Sequence, residues 1–228
     1  MMTAWLLPAW SPWGVNPVGI RVLTLSDVET PAVYSSRIRS RFGDTDLVIS
    51  CGDLPFYYLE YVISMLNLRL YYVNGNHVQR PESDDNAERF EHPWGAINLH
   101  RKVVYDREHD LLLAGIEGSL RYNDGAHQYT QGEMWRMVLG LAPQLASNRM
   151  KYGRYLDVFV THASATGLQD DIDKAHQGID AFRWLLATFK PRYHLHGHMH
   201  HYNPQKANIS QFGNTTVVNT YGYREIEI

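Results

Sequence analysis

The chain has 228 residues, of which 20% are charged, and a formal net charge of −3, with twelve histidines and a single cysteine. At roughly 100–200 residues per domain, this length favours one domain. The near-neutral charge gives no basic surface for general nucleic-acid binding. One cysteine, Cys51, excludes an intramolecular disulfide and a thiolate zinc cluster. We therefore expect a reducing cytoplasm, and imidazole and carboxylate ligands for any bound metal.

Residues 1–19 form an apolar extension rich in tryptophan and proline. It lacks the basic segment that opens a signal peptide, and Pro8, Pro12 and Pro17 interrupt it long before the ~20 apolar residues of a membrane span. We expect neither a signal peptide nor a membrane anchor. The tryptophans of the extension are expected to lie either against the surface of the domain or against a second copy of the chain. Residues 20–228 are expected to form a single domain.

Short apolar runs and helical periodicity alternate in the first half of the chain. The run at 21–26 is β-branched and followed at once by acidic residues, which predicts a buried strand. Apolar residues at three- and four-residue spacing predict a helix over 56–66. The polar stretch 79–96 predicts an exposed loop. Further strands are predicted at 46–50, 70–73 and, as an antiparallel hairpin, at 102–105 and 110–114.

The second half repeats this alternation. Met134, Met137, Val138 and Leu141 lie on one helical face, which predicts a helix that packs on a sheet. A second helix is predicted at 179–189, and strands at 156–161, 192–195, 215–219 and 224–228. Strands joined by helices, with antiparallel strands at the end of the chain, predict an α/β domain with mixed sheets.

Five of the predicted strands end in residues that carry oxygen or nitrogen donors. Ligands of open α/β sheets bind at the carboxyl ends of strands, because the loops converge there. Oxygen and imidazole donors without thiolates favour Mn²⁺, Fe, Zn²⁺ or Mg²⁺. The sequence therefore predicts a metal site at this edge. The five blocks are Asp27-Val28-Glu29, Gly52-Asp53, Gly75-Asn76-His77, Thr161-His162 and Gly197-His198-Met199-His200.

In this order, the five blocks resemble the calcineurin-like metallophosphoesterase superfamily. Its pattern runs Asp-x-His, Gly-Asp, Gly-Asn-His-Asp/Glu, a lone His and Gly-His-x-His at successive strand ends. The matching residues extend from Asp27 to His200, which is most of the chain. The resemblance implies an α/β fold in which two mixed β-sheets are sandwiched between helices (α/β/β/α), with the metal site at the carboxyl ends of the strands.

The resemblance also implies two divalent metal ions, with manganese favoured and iron, zinc or magnesium as alternatives. Asp53 would bridge the ions, since its two oxygens can span the ~3.5–4 Å between paired metals. The expected ligands of the first ion are Asp27, Glu29, Asp53 and His200, and those of the second are Asp53, Asn76, His162 and His198.

Two positions depart from the family pattern. Glu29 stands where the family has a histidine, and it either binds the first ion or accepts a hydrogen bond from a metal-bound water. An anionic oxygen ligand favours Mn²⁺, Mg²⁺ or Fe over Zn²⁺. Val78 follows His77 where the family has an acidic residue, so a carboxylate that could orient neighbouring groups is missing at that position.

The implied activity is hydrolysis of a phosphomonoester or phosphodiester by a metal-bridging hydroxide, without a phosphoenzyme. His77 would not bind metal but would protonate the leaving alkoxide or stabilise developing charge. The residues after Asp53 lack the Asp-Arg-Gly of protein Ser/Thr phosphatases, which favours a small phosphate-ester substrate. The loops at 118–125 and 79–96 are candidate pocket walls, in which Arg121 either pairs with phosphate or is a surface residue.

A non-catalytic function is the alternative. Some proteins of this fold, such as the retromer subunit, have lost hydrolysis and serve as scaffolds for protein partners, and the Glu29 and Val78 departures agree with that reading. The retained metal-ligand set favours the enzyme. Among the other histidines, His176 and His196 are open between a role near the site and none, and His92, His100, His109, His127 and His201 are expected to be solvated.

Overall fold

The computed structural model describes residues 19–77, 92–199 and 208–228. The extension at 1–18, Val78, most of the 79–96 loop, and His200 and His201 lie outside them. The helices are α1 (Ile38–Phe42), α2 (Phe56–Leu66), α3 (Gln131–Tyr152) and α4 (Asp180–Phe189). The strands are β1 (Arg21–Ser26), β2 (Leu47–Ser50), β3 (Leu70–Tyr72), β4 (Ala96–Asn98), β5 (Lys102–Asp106), β6 (Leu111–Ile116), β7 (Ser119–Leu120), β8 (Gln128–Tyr129), β9 (Val158–Thr161), β10 (Tyr193–His196), β11 (Ile209–Phe212), β12 (Thr215–Asn219) and β13 (Gly222–Glu227).

Two mixed sheets form the centre of the protein. The first has the order β13-β1-β2-β3-β4, and the second has the order β11-β12-β10-β9-β6-β5. In the first sheet, β1 to β4 are parallel and β13 is antiparallel to β1. In the second, β6, β9, β10 and β12 are parallel, and the edge strands β5 and β11 are antiparallel. The parallel strands of both sheets therefore have their carboxyl ends available for a shared site.

Three apolar clusters separate four layers. Ile49 of the first sheet and Val160 and Leu195 of the second lie in one cluster, so the two sheets pack face to face. The outer face of the first sheet packs on α1 and α2, and the outer face of the second packs on α3 and α4. Strands that are covered on both faces are nearly continuous apolar runs, and β2, in which Ser50 alone is polar, is buried throughout. The predicted α/β/β/α class is confirmed.

Local sequence fixes the ends of α3. The Thr130 side chain accepts a hydrogen bond from the Glu133 backbone N–H, and the Glu133 carboxylate accepts one from the Thr130 N–H at 2.7 Å. This capping box satisfies amide groups that a helix start otherwise leaves unpaired. The helix ends at Gly153, which has a left-handed backbone. The predicted apolar face, Met134, Met137, Val138 and Leu141, is buried as expected.

The predicted strands and helices are present, and each predicted bound is either the same as the observed one or differs from it by one or two residues. The structure adds α1, β4, β7, β8 and β11. These elements are short: α1 has five residues, and β7 and β8 have two each. The predicted strand β2 is equally short, but it is marked by a buried, mostly apolar run, and none of the added elements contains such a run of four residues. Within the described parts of the chain, no helix is long and apolar enough to span a membrane.

Candidate metal centre

Backbone hydrogen bonds bring the predicted strand ends together at one edge of the two sheets. In the first sheet, the N–H of Asp27 donates to the carbonyl oxygen of Gly52 at 3.1 Å. In the second, the N–H of Gly197 donates to the carbonyl oxygen of His162 at 2.9 Å. The Asp27 carboxylate then links the sheets, because it accepts from the His198 backbone N–H at 3.0 Å. The carboxyl ends of both sheets thus form one site.

Three of the predicted ligands have a left-handed backbone. The φ angles are 66° at Asp27, 56° at Asp53 and 64° at His198. Residues other than glycine seldom adopt this conformation, although Asp, Asn and His do so more often than the rest. At each of these positions the chain has just left a strand and must turn sharply, so the turn sets the direction of the side chain.

Two glycines let carboxylates approach the backbone. A Cβ atom at Gly75 would lie 1.8 Å from Oδ1 of Asp53, and one at Gly197 would lie 2.6 Å from Oδ2 of Asp27. Neither position can hold a larger residue without displacing a predicted ligand. Steric crowding therefore explains why the Gly-Asn-His and Gly-His-x-His blocks each begin with glycine.

Four predicted ligands converge. Asp53, His162 and His198 each offer a donor atom within 4.8 Å of the others. Nε2 of His162 lies 3.3 Å from Oδ2 of Asp53 and 2.9 Å from Oδ1 of Asn76. His162 and His198 are buried, and their ring centroids are 4.8 Å apart. Asn76, His162 and His198 are the ligands that the family resemblance implies for the second ion, and Asp53 is the residue expected to bridge both ions.

One ring nitrogen of His162 and one of His198 form hydrogen bonds with backbone carbonyl oxygens. Nδ1 of His162 donates to the carbonyl oxygen of Cys51 at 2.8 Å, and Nε2 of His198 donates to that of Ala175 at 2.7 Å. In a neutral ring, the other nitrogen then presents a lone pair. Metal-binding histidines commonly have this second hydrogen bond. The donor set, two imidazoles, a carboxylate and an amide oxygen, fits a divalent cation.

The electrostatics of the cluster match this donor set. Burial alone would lower the pKa of His162, but the Asp53 carboxylate raises it to about 9. Burial would raise the pKa of Asp53, but His162 and the His77 N–H hold it far below its usual range. Burial, together with the charge on His162, lowers the pKa of His198 to about 3. The metal-free site therefore places a proton where a cation would bind.

The remaining ligands predicted for the first ion are arranged differently. Glu29 is exposed, and its Oε1 accepts a hydrogen bond from the Tyr57 hydroxyl at 2.6 Å. Asp27 lies beside His198 but, like Glu29, is not a member of the converging group found in the described part of the chain. His200 lies outside the described residues. The structure thus assembles the ligands predicted for the second ion more closely than the rest.

His77 lies next to the cluster. Its backbone N–H donates to Oδ1 of Asp53 at 2.8 Å, and its side chain is exposed. The hydroxyl of Tyr122 lies 3.3 Å from Nε2 of the His77 ring and accepts from Nδ2 of Asn76 at 2.9 Å. Sequence reasoning named the 118–125 loop as a pocket wall but missed Tyr122. A single tyrosine in a polar loop gives no periodic signal.

Arg121, which sequence reasoning did single out in this loop, lies with its guanidinium 3.4 Å from the Glu133 carboxylate and is half exposed.

The expectation of solvated histidines is wrong for three of them. His100 and His127 flank the buried Glu117, and His109 pairs with the buried Asp106. His196 is fully buried, and the His176 ring lies 5.1 Å from that of His198.

Comparisons with known proteins bear on the fold. No protein-family profile and no curated protein matches the chain. One solved structure has a TM-score of 0.62 at 13% identity, over 92% of this chain and 95% of the other. The protein TT1561 of Thermus thermophilus has a TM-score of 0.55 at 16% identity, over 90% of each chain. Vacuolar Protein Sorting 29 from Cryptosporidium parvum, 14% identical over 90% of this chain and 75% of the other, reaches a TM-score of 0.43, which is too low to carry a conclusion. At these identities, the first two likenesses show a shared fold alone.

Proposed function

We propose that this protein is a metal-dependent phosphoesterase that binds two divalent ions, with manganese favoured, and hydrolyses a small phosphate monoester or diester. One observation carries the proposal. Nδ1 of His162 is committed to the Cys51 carbonyl, while Nε2 faces both Asp53 and Asn76 at 3.3 and 2.9 Å. The oxygens of Asp53 and Asn76 thus face the Nε2 proton of His162, and a divalent cation that replaced this proton would be bound by all three atoms in a buried site.

When bound, the ions supply Lewis-acid chemistry, which withdraws charge from phosphoryl oxygens and acidifies water. The chain orients the reacting groups. The His77 N–H fixes Oδ1 of Asp53, so that Oδ2 is directed at His162. The exposed His77 ring is then within reach of a bound ester, where it would protonate the leaving alkoxide or stabilise its charge. In the proposal, Asp27, Glu29 and His200 complete the ligands of the first ion.

Activity screening with a matched pair of variants tests this function. Wild-type protein is supplied with Mn²⁺, Fe²⁺, Zn²⁺ or Mg²⁺ and offered p-nitrophenyl phosphate, bis-p-nitrophenyl phosphate and cyclic nucleotides. We expect Mn²⁺-dependent hydrolysis that falls about 100-fold or more in Asp53→Asn, because a bridging carboxylate is lost. Asp44→Asn makes the same chemical change at an exposed carboxylate paired with Arg21 and should keep full activity.

Equal activity in Asp53→Asn and wild type would contradict the proposal, as would the absence of hydrolysis with every metal. Metal binding without hydrolysis of any ester class would favour the alternative, a scaffold for protein partners. We also propose a cytoplasmic location, since the single cysteine is free and buried and forms no disulfide.

A further inference from the structure

Tyr122 contacts two residues of the candidate site through one hydroxyl group. Its phenolic oxygen lies 2.9 Å from Nδ2 of Asn76 and 3.3 Å from Nε2 of His77. Asn76 is a predicted metal ligand, and His77 is the predicted proton donor. Tyr122 is half-buried.

Donor chemistry fixes the direction of the hydrogen bond with Asn76. An amide NH₂ only donates, so Nδ2 of Asn76 donates to the phenolic oxygen. The amide oxygen of Asn76 is thereby directed at Nε2 of His162, 2.9 Å away. The hydroxyl hydrogen of Tyr122 remains available to Nε2 of His77, which accepts it in the neutral tautomer whose proton is on Nδ1.

The loop that carries Tyr122 is anchored at both ends. The Tyr122 backbone N–H donates to Oε1 of the buried Gln128 at 3.1 Å. Glu117, also buried, accepts from the Tyr129 hydroxyl at 2.7 Å and from Nδ2 of Asn74 at 2.9 Å. Glu117 thus ties this loop to the segment after β3 that carries Asn76 and His77. The tyrosine is held against the site by a satisfied hydrogen-bond network.

We infer that Tyr122 is a positioning residue of this site, which holds the Asn76 amide with its oxygen toward the metal ligands and fixes the ring of His77 through Nε2. The inference rests on the proposed function, because it gives Tyr122 a role through the proposed ligand and proton donor. Groups that orient metal ligands typically contribute 10–100-fold to metal affinity or activity.

The test compares Tyr122→Phe with Tyr105→Phe. Both remove one hydroxyl, and that of Tyr105 donates to Asp110 in the turn between β5 and β6. Mn²⁺ affinity is measured by calorimetry or by electron paramagnetic resonance. We expect Tyr122→Phe to bind Mn²⁺ about tenfold or more weakly and to lower kcat with little change in KM. Tyr105→Phe should match the wild type, and melting temperatures confirm that both variants are folded.

A double-mutant cycle separates action through Asn76 from a general effect on the site. In the Asn76→Ala background there is no amide to orient, so adding Tyr122→Phe should change Mn²⁺ affinity less than about twofold. An undiminished effect in this background would overturn the positioning of Asn76.

The His77 contact is measured without metal and without activity. Nitrogen-15 NMR of metal-free wild type should show neutral His77 protonated at Nδ1, and Tyr122→Phe should give a mixture of tautomers. Unchanged Mn²⁺ affinity together with unchanged His77 shifts would overturn the inference while leaving the phosphoesterase proposal in place. A wild type that binds Mn²⁺ but hydrolyses nothing would overturn the phosphoesterase, and weaker Mn²⁺ binding by Tyr122→Phe would still support the inference.

Discussion

His162 donates from Nδ1 to the carbonyl oxygen of Cys51, which lies 2.8 Å away at the end of β2. This bond joins the two sheets and fixes which nitrogen of the ring faces Asp53. The facing nitrogen carries a proton in the metal-free protein at neutral pH, because the neighbouring carboxylate raises the His162 pKa to about 9. A metal ion must displace that proton.

Metal binding should therefore release protons. The lowered pKa values of Asp53 and His198 keep both groups deprotonated at pH 7, so His162 is the source within this trio. We expect about one proton released per cluster at pH 7, and an affinity that rises about tenfold per pH unit up to pH 9. Calorimetry in buffers of different ionisation enthalpy measures the proton count. A count of zero in the wild type would contradict the assignment, and His162→Gln should abolish the release.

Substitution of Gly75 should disrupt the site through sterics alone. A Cβ at this position would lie 1.8 Å from Oδ1 of Asp53, so Gly75→Ala must displace the carboxylate. We expect at least a tenfold loss of Mn²⁺ affinity. Gly140→Ala is the matched control. Gly140 lies inside α3, and a Cβ atom at this position would have no neighbouring atom within 4 Å. It should raise the free energy of unfolding by about 0.5–1 kcal/mol without changing metal affinity. A Gly75→Ala protein that binds Mn²⁺ normally would show that Asp53 is not a ligand.

Glu29→Gln tests whether this residue binds the first ion. In the structure, the Glu29 carboxylate accepts from Tyr57 at 2.6 Å, which raises the Tyr57 pKa to about 12. If Glu29 also binds metal, titration of the variant should show one Mn²⁺ site weakened by about tenfold and the other unchanged. Glu225→Gln, at another glutamate away from the strand ends that form the site, provides the control. Two unchanged sites would restrict Glu29 to its contact with Tyr57.

Glu117 should stabilise the fold in a pH-dependent manner. Burial alone would raise its pKa, but the hydrogen bond from His127 and the neighbouring His100 lower it to about 2, from 4.5 in the unfolded chain. A lowered folded-state pKa means that the stabilisation is present above pH 4.5 and is lost as the pH falls toward 2. Glu117→Gln should cost about 1.5–3 kcal/mol at pH 7.

Urea unfolding at pH 7 and pH 3 measures this difference. The difference in unfolding free energy between wild type and Glu117→Gln should be smaller at pH 3, because the stabilisation from the Glu117 charge decreases between pH 4.5 and pH 2. The control, Glu108→Gln, changes an exposed carboxylate that pairs with Arg69 and should shift stability by less than about 1 kcal/mol. A gap that is the same at both pH values would show that the charge on Glu117 contributes nothing.

The long helices and the fully buried strands were predictable because burial imposes a pattern on the sequence. The β2 strand is buried at every position, and α3 repeats its apolar face over 22 residues. The β4 strand escaped prediction because its three residues are all partly exposed and follow a polar, proline-containing stretch. The packing of two sheets against each other came from the family resemblance, since periodicity reports that a strand is buried but not what covers it.

The site was predictable in part for a similar reason. Donors placed directly after strands, such as Asp53 and His198, share an edge whenever the strands are parallel. The contacts of Tyr122 and Glu117 depend on loops that fold back over that edge, and no local pattern encodes them. Tyr57, whose hydroxyl contacts Glu29, likewise is half exposed and lies outside the buried face of α2.

The left-handed backbones at Asp27, Asp53 and His198 lower the stability of the fold at positions where the side chains are needed for metal binding. An L-residue in this conformation costs roughly 1 kcal/mol that glycine avoids. Glycine at the three strand ends would thus relieve backbone strain, and it would also remove two carboxylates and an imidazole from the shared edge. A chain optimised for folding alone would be expected to lose these donors. Selection of heat-stable variants of this protein would therefore tend to remove the residues of the candidate metal centre, unless metal binding were assayed in parallel.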